Sequence, residues 1–450
     1  MSPLTRLILT VLVSMLAGAG IAVSVLKRME PAVSSPDAQA PVRRETLVVY
    51  TPANPPDIPG WTQDSVTQAL PAIRRSCARL AALAPESVVG RGIIARPARE
   101  WQAACRDVAQ MEDSDAALRS TLARDFTFYR VGTSQREAGS QETGGAVNDR
   151  GTFTGYYEAD LNGSFTRGGS YQVPIYARPR NMVTINIRDF LPPGAPVPAS
   201  VPASLVGRLV PQSEGQAGGQ VKPYFTRSEI DSAGAIAGDA DVLIWADDPV
   251  AVHVLHIQGS GRVTLPDGQV VRIGFDGHNG RAFKGIGSIL LEAGQVKPGG
   301  ASMVDVREWL KLHPTEAAEY MNKNNRYIFF RRLSPTEAED GPIGAMGVSL
   351  SALRSMAVDP RYIPLGAPVW LDTVDPDGLP LQRLMVAQDV GAAITGAVRG
   401  DIFWGAGDDA FSKAGRMKSS GTYYVFVPRA RSPISDGAAQ PEELEGIDVN

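Results

Sequence analysis

The sequence predicts a mainly β, loop-rich protein with two or three domains and a pair of helices packed at its N-terminal side. The chain has 450 residues, which is more than one compact domain usually contains. Its 46 glycines and 34 prolines favour turns and short strands over long helices. In the later two thirds of the chain, short apolar runs alternate with turns that contain Gly or Pro, which is typical of β-strands.

Residues 1–26 are predicted to be an export signal or a membrane anchor. The stretch Leu7–Leu26 carries no charge and is long enough to cross a bilayer. It is longer than a typical signal-peptide core, although the small residues between Leu16 and Ile21 could hold a cleavage site. We expect a periplasmic protein anchored to the inner membrane by this segment, with a cleaved signal and a soluble periplasmic protein as the alternative. Residues 27–60 follow as a proline-rich linker.

Two helices are predicted after the linker. In Ser65–Leu83 the apolar residues recur at three- and four-residue spacing, and Ala98–Leu122 shows the same period with Pro97 at its start. Cys77 and Cys105 fall one on each helix. The sequence leaves open whether they form a disulfide, as exported proteins often contain, or are two small buried apolar residues.

The rest of the chain is predicted to be mostly strands. These are Gly151–Tyr157, Gln172–Tyr176, Asp241–Trp245, Ala251–Ile257, Gly261–Leu265, Gln269–Phe275 and Arg326–Arg331. A further helix is expected at Arg307–Asn322. Surface loops are predicted at Ser134–Gly145 and Phe190–Gln220, and a disordered tail at Ser432–Asn450.

Charge and histidine content limit the classes of ligand. The net charge is -4 and no basic patch stands out, which argues against a nucleic-acid partner. The 4 histidines lack the spacing of metal ligands, so we expect neither a metal nor a cofactor.

Aspartates at the ends of strand-like runs are the candidate catalytic residues. Asp389 follows the apolar run Leu384–Ala387, and Asp401 opens the run Ile402–Trp404. A carboxylic acid in an apolar setting keeps its proton near neutral pH and can protonate a leaving oxygen. Asp359 is a third candidate, but it stands before a proline, where an Asp is commonly a turn former.

Five motifs follow one another along the chain. They are FTGYYEADLNGS, YFTRSEID, HIQGSGRVTL, NKNNRYIFFRR, and a final region with the three-aspartate pattern VDP, AQD and GDIFWG. In this order they resemble the membrane-bound lytic murein transglycosylase A family, over roughly Trp61 to Arg429. The resemblance implies a double-psi β-barrel domain built from residues 61–157 and 295–430. It also implies a second β-barrel domain inserted at 158–294 and a glycan groove between the two domains. Residues 431–450 then remain as the disordered tail that the composition predicts.

The resemblance also implies a reaction. The β-1,4 bond between N-acetylmuramic acid and N-acetylglucosamine is cleaved, and attack by the C6 hydroxyl of the first sugar leaves a 1,6-anhydro end. Asp401 is implied as the single acid/base and Asp389 as its assisting acid. Residues implied at the glycan are Thr154, Gly155, Tyr156, Tyr157, Gln258, Ser260, Trp404 and Asp359. Asp359 is expected either to contact the glycan directly or to position a neighbouring loop by hydrogen bonds.

The implied partners are peptidoglycan glycan strands and, through the N-terminal segment, a membrane. The sequence has no Cys near the end of Leu7–Leu26, so the residue that lipid-anchored members of the family modify is missing.

Other readings remain open. An inverting β-1,4-glycan hydrolase would use both aspartates and a water, and its products would carry reducing ends. A non-catalytic glycan-binding module would keep the groove but not the acids, and the presence of both Asp389 and Asp401 argues against it. The aromatic residues could instead belong to the core, and Gln258–Ser260 could be an ordinary β-turn.

Overall fold

The computed structural model describes residues 44–137, 145–192, 202, 204–211, 219–334, 336 and 341–430. The chain divides into two compact units, of which the larger comprises Val48–Ser134 and Val147–Asn450. The smaller comprises Met1–Leu47 and Gln135–Ala146, and in its described part Arg136 pairs with Glu45. All of the helices described below belong to the larger unit.

The described residues are mainly β. Their strands are β1 (Arg44–Ala53), β2 (Val88–Val89), β3 (Arg96–Pro97), β4 (Phe126–Glu137), β5 (Gly151–Ser164), β6 (Val173–Tyr176), β7 (Met182–Asn186), β8 (Ser204–Pro211), β9 (Gly219–Pro223), β10 (Val242–Ala246), β11 (Ser260–Thr264), β12 (Val270–His278), β13 (Ile328–Arg332), β14 (Ser355–Val358), β15 (Pro368–Val374), β16 (Pro380–Asp389), β17 (Arg399–Ala406) and β18 (Lys418–Pro428). Their helices are α1 (Leu70–Ala81), α2 (Ala98–Gln110), α3 (Asp115–Asp125), α4 (Arg227–Asp231), α5 (Pro249–Gln258), α6 (Ile286–Glu292), α7 (Met303–Leu312), α8 (Pro314–Asn322) and α9 (Gly407–Arg416).

Six strands close on themselves in a ring. β18 pairs with β15, β15 with β16, β16 with β14, β14 with β17, β17 with β5, and β5 pairs back to β18. The apolar runs Leu384–Ala387 and Tyr423–Val427 are buried on both faces of their strands. One face fills the interior of the ring, and the other is covered by helices, since α1 packs against β16 and α2 against β18. The ring is therefore a packed core.

The strand β5 continues beyond the ring and joins a second group of strands. Its later half pairs in parallel with β11 and antiparallel with β10. β11, β12 and β13 are antiparallel neighbours, and β10 pairs with β6. A bridge between Ala177 and Phe330 then connects the end of β6 to β13. Because one continuous strand belongs to both groups, no linker separates them at this point.

A separate antiparallel sheet contains β7, β8 and β9. β8 and β9 overlap the range Phe190–Gln220, which is predicted to be a surface loop; its described part does lie at the surface, but it forms strands. The physical reason is that these strands bury little: Leu205, Leu209 and Val221 all remain exposed. Without a buried face, the alternation that identifies a strand is weak.

The two predicted N-terminal helices are confirmed, with different ends. The first, Ser65–Leu83, contains α1. The second, Ala98–Leu122, is two helices, α2 and α3, because Ser114 caps the latter by accepting the backbone N–H of Ala117 at 3.2 Å. A disulfide between Cys77 and Cys105 joins α1 to α2, with 5.4 Å between the Cα atoms.

The segment Ala251–Ile257 is predicted as a strand, and this is wrong, because it lies in helix α5. Five of its seven residues are apolar and the other two are histidines, so the sequence shows no clear helical period. The capping residues at the two ends of the segment favour a helix. Asp248 Oδ1 accepts the N–H of Val250 at 2.7 Å, and Gly259 ends the helix with a φ of 80°.

Two further ranges differ from prediction. Arg307–Asn322 is predicted as one helix but is divided between α7 and α8, because Pro314 has no N–H to continue the first helix. The predicted linker 27–60 contains β1. In the part of β1 that belongs to the larger unit, the Tyr50 hydroxyl donates to the Tyr362 carbonyl at 2.8 Å.

The predicted anchor Leu7–Leu26 and the predicted tail Ser432–Asn450 lie outside the described residues, as does much of the loop Ser134–Gly145. Within the described part of the chain, no helix is both long enough and apolar enough to cross a membrane.

Candidate active site

Asp389 and Asp401 lie in one row of the six-stranded ring. Asp389 is the last residue of β16, and Asp401 lies near the start of β17. The strand β14 runs between them, and its residue Ala357 is the register partner of both aspartates. Register partners point to the same face of a sheet, and neighbouring strands are about 4.8 Å apart, so the two Cα atoms lie roughly 10 Å apart. Both carboxylates are therefore directed to one side of the ring.

The next strand in the row, β5, supplies a hydrogen-bond donor to Asp401. Thr154 is the register partner of Asp401, and its hydroxyl donates to Asp401 Oδ1 at 2.6 Å. Arg399 Nη2 donates to the same hydroxyl at 2.8 Å. A guanidinium only donates, so Thr154 must accept from Arg399 and direct its own proton to Asp401. Among the described residues, no hydrogen bond reaches the other carboxyl oxygen, Oδ2.

The environment of Asp401 favours its protonated form. The pKa of Asp401 is raised from an ordinary value of 3.8 to about 6, mainly by burial and to a smaller extent by the charge of Asp389. The hydrogen bond from Thr154 and the charge of Arg399 oppose this rise. The side chain is nevertheless half-buried and borders an open cleft. It is thus a carboxylic acid that is protonated at mildly acidic pH and accessible to a ligand.

Asp389 has a different set of partners. Its Oδ1 accepts the backbone N–H groups of Ala345, at 2.8 Å, and Val390, at 2.9 Å. Its Oδ2 accepts the hydroxyl of Tyr156 at 2.9 Å. Burial raises the pKa of Asp389, and these three donors oppose the rise. Both oxygens of Asp389 are therefore occupied by protein donors, whereas Asp401 has a free one.

A close backbone approach makes the bond from Ala345 possible. A Cβ atom on Gly344 would lie 2.6 Å from the side chain of Leu350 and 2.7 Å from the carbonyl of Gln388. Only glycine fits in this space, and its fit brings the next N–H, that of Ala345, to Asp389.

An apolar floor lies beneath the two acids. It consists of Tyr156, Leu350, Ala357, Ile394 and Phe403, all buried. The rings of Tyr156 and Phe403 are 5.3 Å apart. This cluster removes water from one side of both carboxyls, which is the physical origin of their raised pKa values.

The acids border a cleft with a volume of about 680 Å³. One wall comes from the ring and its loops, and includes Tyr156, Ala345, Asp389 and Asp401. The other wall comes from the second group of strands, the end of α5 and adjoining loops. Its lining residues are His256, Ile257, Gln258, Gly259, Ser260, Gly274, Phe275, His278, Phe283, Arg326, Ile328, Arg331 and Leu333.

Three of the residues expected to bind a ligand, Tyr156, Gln258 and Ser260, line this cleft. Gln258 also connects the two walls, because its Oε1 accepts the N–H of Tyr157 at 2.9 Å. The segment Gln258–Ser260 is the end of a helix followed by a strand, where Gly259 has a positive φ.

Other expected residues lie behind the cleft wall. Tyr157 packs against Phe411. A Cβ atom on Gly155 would lie 2.6 Å from Nε1 of Trp404, so this glycine makes room for the indole. Trp404 packs against two apolar clusters, and its Nε1 is buried with no hydrogen-bond partner among the described groups.

Asp359 follows β14 and is buried. It forms an ion pair with Arg361 at 2.6 Å and accepts the N–H of Gly396 at 2.8 Å. Burial would raise its pKa, but the hydrogen bonds from Arg361 and Gly396 outweigh this effect and lower the pKa of Asp359. Its contacts fix the loop that carries the cleft-lining residues Gly391–Ile394.

Sequence reasoning missed Arg399 and Ala357. A signal for Arg399 existed, because residues two apart on a strand share a face, and Arg399 stands two before Asp401. The role of Ala357 depends on strand register, which the sequence does not show. In the described part of the chain, no three His, Cys, Asp or Glu side chains come together as a metal site would require.

Comparison with known proteins identifies the family. Residues 152–331 match the MltA specific insert domain, and residues 354–427 match the 3D domain. A crystal structure of MltA from Neisseria gonorrhoeae is 31% identical, with a TM-score of 0.66 over 86% of this chain and 96% of that one. A crystal structure of a membrane-bound lytic murein transglycosylase from Agrobacterium tumefaciens is 29% identical, with a TM-score of 0.69 over 84% of this chain and 97% of that one.

Membrane-bound lytic murein transglycosylase A of Escherichia coli (strain K12) is 29% identical over 282 residues. This match covers 61% of the present chain and 65% of that protein, which is less than two thirds of its length. The resemblance seen in the five sequence motifs is confirmed. The chain belongs to the membrane-bound lytic murein transglycosylase A family.

Proposed function

We propose that the protein is a peptidoglycan lytic transglycosylase. It would cleave the β-1,4 bond between N-acetylmuramic acid and N-acetylglucosamine and leave a 1,6-anhydro end. The support from relatives is that they are named lytic murein transglycosylases. The observation that carries the proposal is Asp401, a half-buried acid with a pKa raised to about 6 and one carboxyl oxygen free at the edge of a cleft.

Asp401 acts in both halves of the proposed reaction. Its protonated carboxyl gives a proton to the bridging oxygen as the bond from that oxygen to C1 of the muramyl sugar breaks. The C6 hydroxyl oxygen of the same sugar forms the new bond to C1, and its proton passes to the Asp401 carboxylate. The acid is thereby restored, and neither water nor an enzymic nucleophile is consumed.

Asp389 is proposed to assist without transferring a proton. Its charge raises the pKa of Asp401 and can stabilise positive charge that develops at C1. An inverting hydrolase would need Asp389 to activate a water. This role is less suited to a carboxylate whose two oxygens already accept three protein hydrogen bonds. The arrangement therefore favours the transglycosylase.

Tyr156, Gln258 and Ser260 are proposed to contact the glycan, because they line the cleft. Thr154 is proposed to orient Asp401, and Asp359 to hold the loop beside the acids. Gly155, Tyr157 and Trp404 are proposed to shape the wall from behind. This proposal gives these last three residues a supporting role, whereas the resemblance implies direct contact with the glycan.

We also infer the finer domain description. The closed ring of six strands is consistent with a double-psi β-barrel assembled from 61–157 and 295–430. The second group, in which β5, β11, β12, β13, β6 and β10 follow one another in contact, is consistent with a second barrel formed by the insert 158–294 together with β13, which lies outside that range. The strand β5 crosses the proposed boundary.

The proposed location is the periplasm, with Leu7–Leu26 anchored in the inner membrane and the proline-rich stretch as a spacer. The disulfide supports an oxidising compartment. N-terminal sequencing of the native protein tests the anchor. A mature chain that begins directly after one of the residues Ala17–Ala22 would show a cleaved signal instead.

The function is tested by incubation of the full chain with purified sacculi. Release of soluble fragments that depends on Asp401 supports the proposal, and no release by a folded chain contradicts it.

A further inference from the structure

Charge is unevenly distributed in the cleft. Among its described lining residues, the carboxylates are Asp389 and Asp401, both on the ring side. The opposite wall carries Arg326 and Arg331. Since Arg331 has contacts of its own, the inference rests on Arg326.

Arg326 is a half-buried cation that lacks a carboxylate partner. Its Nη1 donates to the carbonyl of Arg281 at 3.3 Å, which is a neutral acceptor. Within the described ranges, no Asp or Glu forms an ion pair with it. Burial lowers the pKa of the Arg326 guanidinium, since the charged form loses hydration. A desolvated cation without a counter-ion is costly, and an anionic ligand would offset that cost.

His278 supplies a second donor beside Arg326. It ends β12 and is the register partner of Ile328, two residues after Arg326. Its Nδ1 accepts the N–H of Gly280 at 2.9 Å, so the proton of the neutral ring is on Nε2. Burial, and to a smaller extent the charge of Arg326, lower the pKa of His278 to about 4. The ring is therefore neutral near neutral pH.

Phe275 completes this part of the wall. It lines the cleft and is 47% exposed, whereas phenylalanine side chains are usually buried. Its ring centroid lies 6.3 Å from that of His278. An exposed aromatic face beside two polar donors suits a sugar ring with an acidic substituent.

We propose that Arg326 and His278 form a carboxylate-binding subsite for the glycan strand, with Phe275 against the sugar that carries the acid. This inference rests on the proposed function. Two carboxylates have the required chemistry: the lactyl carboxylate of a muramyl sugar without a peptide, and the carboxylates of an attached stem peptide. In stem-bearing strands the lactyl group is in amide linkage, so the two sources can be tested separately.

The test measures binding to the full chain in an Asp401→Asn background, which prevents turnover. Calorimetry measures the affinity of this chain for three probes and compares it with the affinity of the same chain carrying Arg326→Met in addition. These are stem-bearing strands, amidase-treated strands with free lactyl groups, and amidase-treated strands whose carboxylates are converted to amides. A matched control is Arg178→Met, which removes an exposed arginine that pairs with Asp276 on the same group of strands.

Arg326→Met is expected to weaken binding of one or both charged strands roughly tenfold, because a charged hydrogen bond is lost. The effect should shrink with added salt, and Arg326→Lys should restore part of the affinity. Weakening only on stem-bearing strands assigns the site to the peptide, and weakening only on amidase-treated strands assigns it to the lactyl group. The amidated probe should bind both chains alike, which also shows that the variant is folded.

Equal binding of the charged and amidated probes by both chains would overturn the subsite. So would an equal loss with Arg178→Met. Failure of the wild-type chain to cleave any strand would instead contradict the proposed function, and the binding comparison would remain valid.

Discussion

Asp389 and Asp401 are register partners of the same residue, Ala357, on the strand between them. Their relative position is therefore fixed by backbone hydrogen bonds of three strands. A small side chain at the middle position leaves the space between the two carboxyls open. Backbone placement of this kind holds catalytic groups more rigidly than loops do.

Asp401→Asn is expected to reduce the release of fragments from sacculi by ~10²–10⁴-fold, because the amide cannot exchange a proton. Glycan binding should survive, since the shape is kept. Asp409→Asn, on the exposed side of α9, is the control and should retain activity. Activity of Asp401→Asn above about a hundredth of the wild type would contradict the assignment of Asp401 as the acid/base.

Asp389→Asn should lower the rate without abolishing it and should move the pH profile. The charge of Asp389 raises the pKa of Asp401, so its removal lowers that pKa. Asp401 must be protonated to act as an acid, and the alkaline limb of kcat/KM should therefore shift to lower pH. An unchanged rate and profile would show that Asp389 is a structural turn residue.

Thr154→Val should shift the alkaline limb of kcat/KM to higher pH, opposite to the shift expected for Asp389→Asn. The Thr154 hydroxyl donates to Asp401 and lowers its pKa, so its loss raises the pKa. Activity should then persist to higher pH, while the rate at the optimum falls because Asp401 is less well oriented. Thr154→Ser keeps the hydroxyl and should resemble the wild type. A shift to lower pH with valine would contradict the hydrogen-bond assignment.

The raised pKa of Asp401 has a consequence for stability. Its pKa is about 6 in the folded protein, against 3.8 for an exposed aspartate. The folded state binds the proton more tightly, so ionisation of Asp401 destabilises the fold progressively as the pH rises from about 4 to above 6. Asp401→Asn should therefore stabilise the protein by roughly 2 kcal/mol more at pH 8 than at pH 4. Thermal unfolding at both pH values measures this, and equal effects would refute the pKa shift.

The sequence predicted much of the local structure around the acids. Its apolar run before Asp389 and aromatic run after Asp401 correctly placed these residues on strands, because burial of a strand leaves a pattern along the chain. The disulfide could not be decided, since it depends on how α1 and α2 pack. Helix α5 was missed because its residues are apolar on every side, and only its caps distinguish it from a strand.

The cleft wall was harder to predict for a different reason. Ala357 and Thr154 meet Asp401 through strands far apart in the chain, and register between such strands is set by the whole ring. Arg326 gave no signal, since a lone arginine before a strand is ordinary in sequence. Its lack of a carboxylate partner among the described residues is visible only in three dimensions.

Mass spectrometry of the ends of fragments released from purified sacculi in ¹⁸O-labelled water tests the central claim most directly. If Asp401 acts alone as acid and base, the C6 hydroxyl closes on C1, and the fragments carry 1,6-anhydromuramyl ends without label. Labelled reducing ends would show that water attacks C1, and would identify the protein as a hydrolase that uses the pair of aspartates.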